Sequence, residues 1–264
     1  MAKNLIFTIA FDRTGEPYHQ SMAKILVSSI FRTGYVGNVL VLTNSDHRLY
    51  EYGRPGLEEI SLDTSALTDS ELGLKAQQFK YRAREYVSSL DFDRVMFMDC
   101  DCICQRNPDD LVRGDADILF SEEPAFQITS PFFSAYLRDD EMRGLAAPGM
   151  NSGLWAVRGA CFQDLMEEWE RIDTLPPLRE KLGADQPAWV RLLRDTKLRA
   201  EPFRIGIDVH FPMLERRSEF DFQSATVLHF NGAPPPVKLA HMCGVYMRRF
   251  HVQTCMTLLG LLDG

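Results

Sequence analysis

Residues 94–111, RVMFMDCDCICQRNPDDL, begin as a short apolar run and then place two carboxylates, Asp99 and Asp101, one residue apart. An apolar run of this length, bounded by polar residues, reads as a strand covered on both faces, the kind found in parallel sheets. Alternate side chains of an extended chain share a face, so Asp99 and Asp101 are expected on one side at the carboxyl end of the strand. Open α/β sheets bind their ligands at that end. Two carboxylates brought together repel each other and lose solvation, so something positive must compensate. A hard divalent cation, Mn²⁺ or Mg²⁺, meets that need and bridges readily to a diphosphate. Taken alone, an Asp-x-Asp is short and common, and more often describes a solvated acidic loop.

The segments before this strand give it a setting. NLIFTIAF (4–11) reads as a buried strand, DRTGEP as a polar loop, YHQSMAKILVSSIF (18–31) as an amphipathic helix and NVLVLT (38–43) as a second buried strand. This β-loop-α-β order is the unit of a parallel sheet. SELGLKAQQFKYRAREYVSSL (70–90) is a predicted helix that feeds the acidic strand. Further on, ADILFS is a short strand, 122–150 an irregular stretch, SGLWAVRG a strand, and ACFQDLMEEWERI and ADQPAWVRLLRD are helices. FRIGIDV and ATVLHFNG are expected to close the sheet, with HMCGVYMRRFHVQTCMTLLGLL as a terminal helix. The fold class is therefore α/β, one Rossmann-like domain over 1–264 with a mainly parallel central sheet.

Composition narrows the partners. With 29 Lys and Arg against 37 Asp and Glu, the chain carries a formal net charge of -8, which argues against a nucleic-acid backbone as ligand. No stretch is long and apolar enough to span a bilayer, so a soluble protein without a transmembrane segment is expected. Cys100, Cys102 and Cys104 are too crowded to pair locally and no secretion signal is seen, which points to a reducing, cytoplasmic setting. Packing at the strand end explains these cysteines better than a thiolate metal site, because no Cys-x-x-Cys spacing or nearby His accompanies them.

The blocks FTIAFD, VMFMDCD, MNSGLWAV, ADQPAWV and VLHFNGAPPPVK, in this order, resemble glycosyltransferase family 8, the retaining GT-A-fold group that includes glycogenin and bacterial lipooligosaccharide galactosyltransferases. The resemblance implies a metal-dependent transferase moving a hexose from a nucleotide-sugar, UDP-glucose or UDP-galactose, to a carbohydrate, glycoconjugate or small-molecule acceptor. It implies Asp99, Asp101 and His229 as metal ligands, although a lone His on an apolar strand otherwise reads as a hydrogen-bonded core residue. Ala10, Phe11 and Asp12 would hold the base and ribose, with Asp99 and Cys100 beside them; strand alternation instead points Cys100 to the opposite face as packing.

Lys80, Gly232 and Lys238 would face the diphosphate. Three prolines lengthen the gap between His229 and Lys238 relative to the family spacing, and Arg82 and Arg84 offer other registers for Lys80. Tyr18 has two readings, a stack on the base or a hydrophobic staple at the helix start. Asn151, Ser152, Asp185 and Gln186 would line the sugar pocket, with Asp185 and Gln186 as the catalytic candidates, while Asp185 also reads as a helix N-cap. In this resemblance 122–150 is an acceptor-side insertion, whose Phe126, Phe132, Phe133 and Tyr136 stack on a sugar or fill a small core. Two other classes fit parts of the pattern: a haloacid-dehalogenase-like phosphohydrolase with Asp99 as nucleophile, and a non-catalytic nucleotide-sugar or carbohydrate-binding protein. Self-association into a homo-oligomer is left open.

Overall fold

The computed structural model describes residues 3–46, 48–49, 54–127, 130, 148–175, 185–214 and 224–251. Its main sheet has seven strands: β1 (Asn4–Ala10), β2 (Asn38–Thr43), β3 (Leu57–Ser61), β4 (Arg94–Met98), β6 (Ile118–Gln127), β7 (Pro148–Arg158) and β8 (Ala200–Pro202). They lie in the order β3-β2-β1-β4-β7-β6-β8. Every pair is parallel except the two made by β7, which runs antiparallel to both β4 and β6. A second sheet holds three short strands, β5 (Cys102–Cys104), β10 (Val227–His229) and β9 (Val209–His210).

Five α-helices complete the described architecture: α1 (Tyr18–Arg32), α2 (Asp69–Arg82), α3 (Gly159–Asp173), α4 (Asp185–Asp195) and α5 (Pro235–Tyr246). Alternation along β1 sorts its apolar side chains onto two faces. Leu5, Phe7 and Ile9 pack with residues of α2, α3 and α4, whereas Ile6 and Ala10 pack with α1 and the small sheet. All three tryptophans sit fully buried on the first face, with Trp169 and Trp189 rings 4.5 Å apart and Trp155 within 6 Å of both. Each buried indole is worth about 3–5 kcal/mol against truncation to alanine. Together they fix α3 and α4 onto β7, and with them the start of α4.

Several expectations are corrected. FRIGIDV and ATVLHFNG do not close the main sheet: β10 pairs with β5 on one side and β9 on the other in the small sheet, and the edge of the main sheet is taken by β8. β3, with Glu58 and Glu59 in the middle of LEEIS, carries no apolar alternation and was not expected from its sequence. β4 ends at Met98, so Asp99, Cys100 and Asp101 form a turn rather than a strand, closed by Cys102 N–H donating to the Asp99 carbonyl at 3.0 Å. α2 stops at Arg82, eight residues short of the expected end, and two short 3-10 turns, Ala83–Glu85 and Ser89–Asp91, follow.

The last described α-helix begins at Pro235, ahead of the expected HMCGVY start, because prolines are tolerated in a first turn where their missing N–H costs nothing, and a π-helical turn, Met247–His251, continues it. Of the expected irregular stretch, 122–127 prolongs β6 and 148–150 opens β7. Phe132, Phe133, Tyr136 and the terminal residues 252–264 lie outside the described residues, as does the side chain of Phe126. Among the described residues no helix is long and apolar enough to cross a membrane.

Candidate functional site

A cleft of about 360 Å³ opens at the carboxyl ends of β1 and β4. One wall is α2. A capping box starts that helix, with Glu71 N–H donating to the Thr68 hydroxyl and Thr68 N–H donating to Glu71. The register it sets turns Leu72, Ala76 and Lys80, four residues apart, towards the cleft. The other walls come from Asn151, Ser152 and Gly153 of β7, Asp185 and Gln186 at the start of α4, His229 and Asn231 at the end of β10, and Lys238 in the first turn of α5.

The acidic pair sits at the centre. Asp99 N–H donates to the Gly153 carbonyl at 2.7 Å, and the Asp101 carbonyl accepts from Phe230 N–H at 2.9 Å, so β7 and β10 together hold the turn. Lys80 Nζ lies 3.4 Å from Asp99 Oδ1 and 3.0 Å from Asp185 Oδ2, and donates to the Ser152 hydroxyl at 3.2 Å. Lys238 Nζ reaches Asp101 Oδ2 at 2.5 Å. His229 Nε2 stands 3.2 Å from Asp101 Oδ1 and 3.7 Å from Asp99 Oδ2.

Burial opposes every one of these charges, and the neighbours overrule it. Burial would lower Lys80, but Asp185 and then Asp99 raise its pKa above the ordinary lysine value. For Asp101, burial raises and Lys238, then His229, lowers, leaving it far below the usual carboxylate range. Asp99 is likewise held low, mainly by Lys80 against its burial. Burial would keep His229 neutral, yet Asp101 lifts its pKa to about 9. The turn therefore demands positive charge, as two adjacent carboxylates must.

The donor set fits a divalent cation. Ligand atoms of Asp101, Cys102 and His229 lie within 4.8 Å of one another, and Asp99 adjoins this group through His229. Asp101 Oδ1 is buried and no donor meets it in hydrogen-bonding geometry, His229 Nε2 included at 3.2 Å, so a lone pair is left for a cation. Carboxylate oxygens with an imidazole nitrogen suit Mn²⁺. Burial, followed by Asp101 and Asp99, pushes the Cys102 thiol well up, which keeps it a neutral neighbour; with Cys100 and Cys104 it belongs to the core cluster.

The cleft thus brings together Phe11, Lys80, Asp99, Cys100, Asp101, Asn151, Ser152, Asp185, Gln186, His229 and Lys238 from the sequence-based set. Ala10, Asp12, Tyr18 and Gly232 do not line it. The Asp12 carboxylate accepts the backbone N–H groups of His19 and Gln20 at the start of α1, and Gly232, at φ 90°, packs against Leu214. Asp185 is the first residue of α4, and one of its carboxylate oxygens, Oδ2, lies 3.0 Å from Lys80 Nζ.

Sequence reasoning missed Gly153, Glu123 and Asn231. Gly153 has no room for a side chain: a Cβ would come 2.5 Å from His229 Cε1 and 2.9 Å from Asn151 Oδ1, and nearer still to Asp99 Oδ2. Its position at the head of SGLWAVRG read only as the start of a strand. Glu123 accepts from Asn151 Nδ2 at 2.9 Å and Asn231 Nδ2 at 3.0 Å, and nothing in SEEPAF marks it.

A family profile described as nucleotide-diphospho-sugar transferase matches residues 62–227. No curated protein matches by sequence. Similar solved structures include the WbbM bifunctional glycosyltransferase (TM-score 0.58, 13% identity, 95% of this chain and 51% of that one). The galactosyltransferase LgtC, solved with donor and acceptor sugar analogues, matches with TM-score 0.58 and 12% identity over 92% of this chain and 95% of its own. A glycosyltransferase involved in glycosylation of the major capsid of PBCV-1 gives TM-score 0.55 and 11% identity, over 92% and 99%. This chain therefore spans about half the length of WbbM and nearly all of the other two. At these identities the likeness is one of fold.

Proposed function

We propose, from the premise that the chain belongs to the nucleotide-diphospho-sugar transferase family, that this GT-A-fold glycosyltransferase moves a hexose from a UDP-sugar to an acceptor with retention at the anomeric carbon. The observation that carries the proposal is the convergence of Asp99, Asp101, His229, Lys80, Lys238 and Asp185 in one cleft at the carboxyl ends of β1 and β4. Membership of this family leaves no support for a phosphohydrolase with Asp99 as nucleophile.

Asp99, Asp101 and His229 would hold Mn²⁺ or Mg²⁺. When bound, such an ion supplies Lewis-acid neutralisation of the diphosphate leaving group. Lys80 and Lys238, kept protonated by their carboxylate neighbours, add fixed positive charge on either side of the acidic turn. The base and ribose would rest against Phe11 and Cys100, with Ala10 and Asp12 behind them, Tyr18 at the mouth of α1 and Gly232 beyond His229.

Asn151, Ser152, Asp185 and Gln186 would receive the sugar hydroxyls. Gln186 Nε2 donates to the Met150 carbonyl at 3.0 Å, which leaves its amide oxygen as the accepting end. Retention is supported by the resemblance to glycosyltransferase family 8, with the leaving phosphate accepting the acceptor's proton, so no side chain is needed as a general base. Asp185 and Gln186 then act by holding the ring.

Thermal melting with a panel of nucleoside diphosphates and UDP-sugars, with and without Mn²⁺, tests the proposal on wild type and Asp101→Ala. Saturation at a hundred times Kd stabilises by about 2.7 kcal/mol, a rise of roughly 5–10 °C for a chain of this length. A UDP-selective, Mn²⁺-dependent rise that vanishes in Asp101→Ala supports the reading. The absence of any nucleotide response with metal present overturns it.

A further inference from the structure

Glu123 lies behind the cleft where β6 and β7 lose their regular pairing. The ladder joins Phe120 to Trp155 and then Ser121 to Asn151, so Ser152, Gly153 and Leu154 of β7 have no opposite residue on β6. Unpaired residues in one strand bend it and re-aim the side chains that follow. Glu123, only 3% exposed, is thereby brought to two amides from different elements, Asn151 of β7 and Asn231 just after β10. Both donate to the same oxygen, Oε2, at 2.9 and 3.0 Å.

An asparagine side chain has a donor at one end, an acceptor at the other, and nearly the same shape when flipped. A carboxylate only accepts, so each amide must turn its nitrogen to Glu123 and its oxygen away. The Asn151 oxygen then meets Gly153 N–H at 2.7 Å, which sets the stretch of β7 that abuts Asp99. Asn231, a cleft-lining residue, keeps its oxygen on the side away from Glu123.

We infer that Glu123 is a positioning residue that sets the polarity of the sugar pocket. By fixing both amides it locks the Asn151 oxygen onto Gly153 N–H and leaves the Asn231 oxygen as the acceptor that the pocket presents, and so selects ligands that offer hydroxyl donors, as a hexose does. This rests on the donor-sugar reading above.

The test compares wild type, Glu123→Ala, Glu123→Gln and Asn231→Ala, using the Mn²⁺-dependent affinities of UDP and of UDP-glucose and UDP-galactose from melting titrations. KM and kcat for donor hydrolysis are measured alongside. UDP affinity is expected to fall less than the sugar increment in every variant. The added affinity of the UDP-sugar over UDP is expected to fall about tenfold in Glu123→Ala, the loss of one hydrogen-bonded group, with the change in KM. Glu123→Gln is expected to recover most of it, because its amide oxygen accepts the same two N–H groups. Asn231→Ala, which leaves Glu123 and Asn151 in place, is expected to lose less than Glu123→Ala and remains informative if the latter does not fold.

An unchanged sugar increment in Glu123→Ala or in Asn231→Ala overturns the inference. So does Glu123→Gln failing as badly as Glu123→Ala, which would mean that the charge itself acts on the ligand. If wild type binds no UDP, the nucleotide-sugar reading has failed and takes this inference with it; if wild type responds and the variants match it, this inference alone has failed.

Discussion

Replacing Gly153 by alanine adds a methyl group where three parts of the site converge. The new Cβ would stand 2.5 Å from His229 Cε1 and 2.9 Å from Asn151 Oδ1, with Asp99 Oδ2 closer than either. Ordinary contact lies near 3.5 Å, so a neighbour must retreat by roughly 1 Å. His229 has little room to give, being 1% exposed, paired through its backbone with Cys102 and packed against the Phe211 ring. Asn151 is tied at both ends of its amide. The displacement therefore falls on Asp99, and with it on the Lys80 pair and the metal-ligand set.

Overpacking of this kind costs about 1–3 kcal/mol, a fall in Tm of roughly 2–10 °C for a chain of this length. A misplacement of about 1 Å among reacting groups costs on the order of a hundredfold in rate. Paired thermal melts and Mn²⁺-dependent nucleotide titrations on Gly153→Ala and Gly244→Ala provide the assay. Gly244 is exposed in α5 with nothing within 4 Å of its would-be Cβ, so alanine there is expected to stabilise by about 0.5–1 kcal/mol. If Gly153→Ala melts with wild type and keeps the full metal-dependent response, the reasoning is refuted.

Lys80→Met leaves Asp185 facing Asp99 without the buried ammonium between them and is expected to destabilise by about 3 kcal/mol in urea titrations; wild-type stability would show the pair to be solvated. Trp169→Phe removes the indole N–H that donates to the Asp185 carbonyl at 3.3 Å, and a loss of about 2 kcal/mol together with a raised donor KM is expected in melts and kinetics. The Glu71 carboxylate is held below its ordinary 4.5 by the Thr68 N–H and hydroxyl. A depressed folded value contributes stability above the unfolded pKa and loses it as pH falls through the folded one. Glu71→Gln is therefore expected to flatten the melting profile below about pH 4.5, and an unchanged acid limb would count against the capping box.

The strands that build the centre were legible because burial on both faces writes itself as continuous apolar sequence. β1, β2 and β4 read this way, and the helical stripes of α1, α3 and α4 followed the 3.6-residue period. β3 was not legible, because an edge strand with Glu58 and Glu59 satisfies its backbone without an apolar pattern. The small sheet escaped too: β9 and β10 are so short that their sequences state burial without stating which sheet they join. Prolines 234–236 read as a spacer, whereas the first turn of α5 absorbs them and carries Lys238 back to Asp101.

Sequence by itself determined the chemistry on offer: the acidic turn after a buried strand, a late histidine, and a polar pair opening a helix, each recognisable because its residue types and order are local properties of the chain. Tertiary structure alone decided who meets whom. Gly153 matters because Asp99, His229 and Asn151 close around it, Glu123 because an irregularity between β6 and β7 turns it onto two amides, and Lys80 because Asp185 arrives from α4. The energy of such contacts depends on distances and burial between segments far apart in the chain, and no local pattern of residues encodes those.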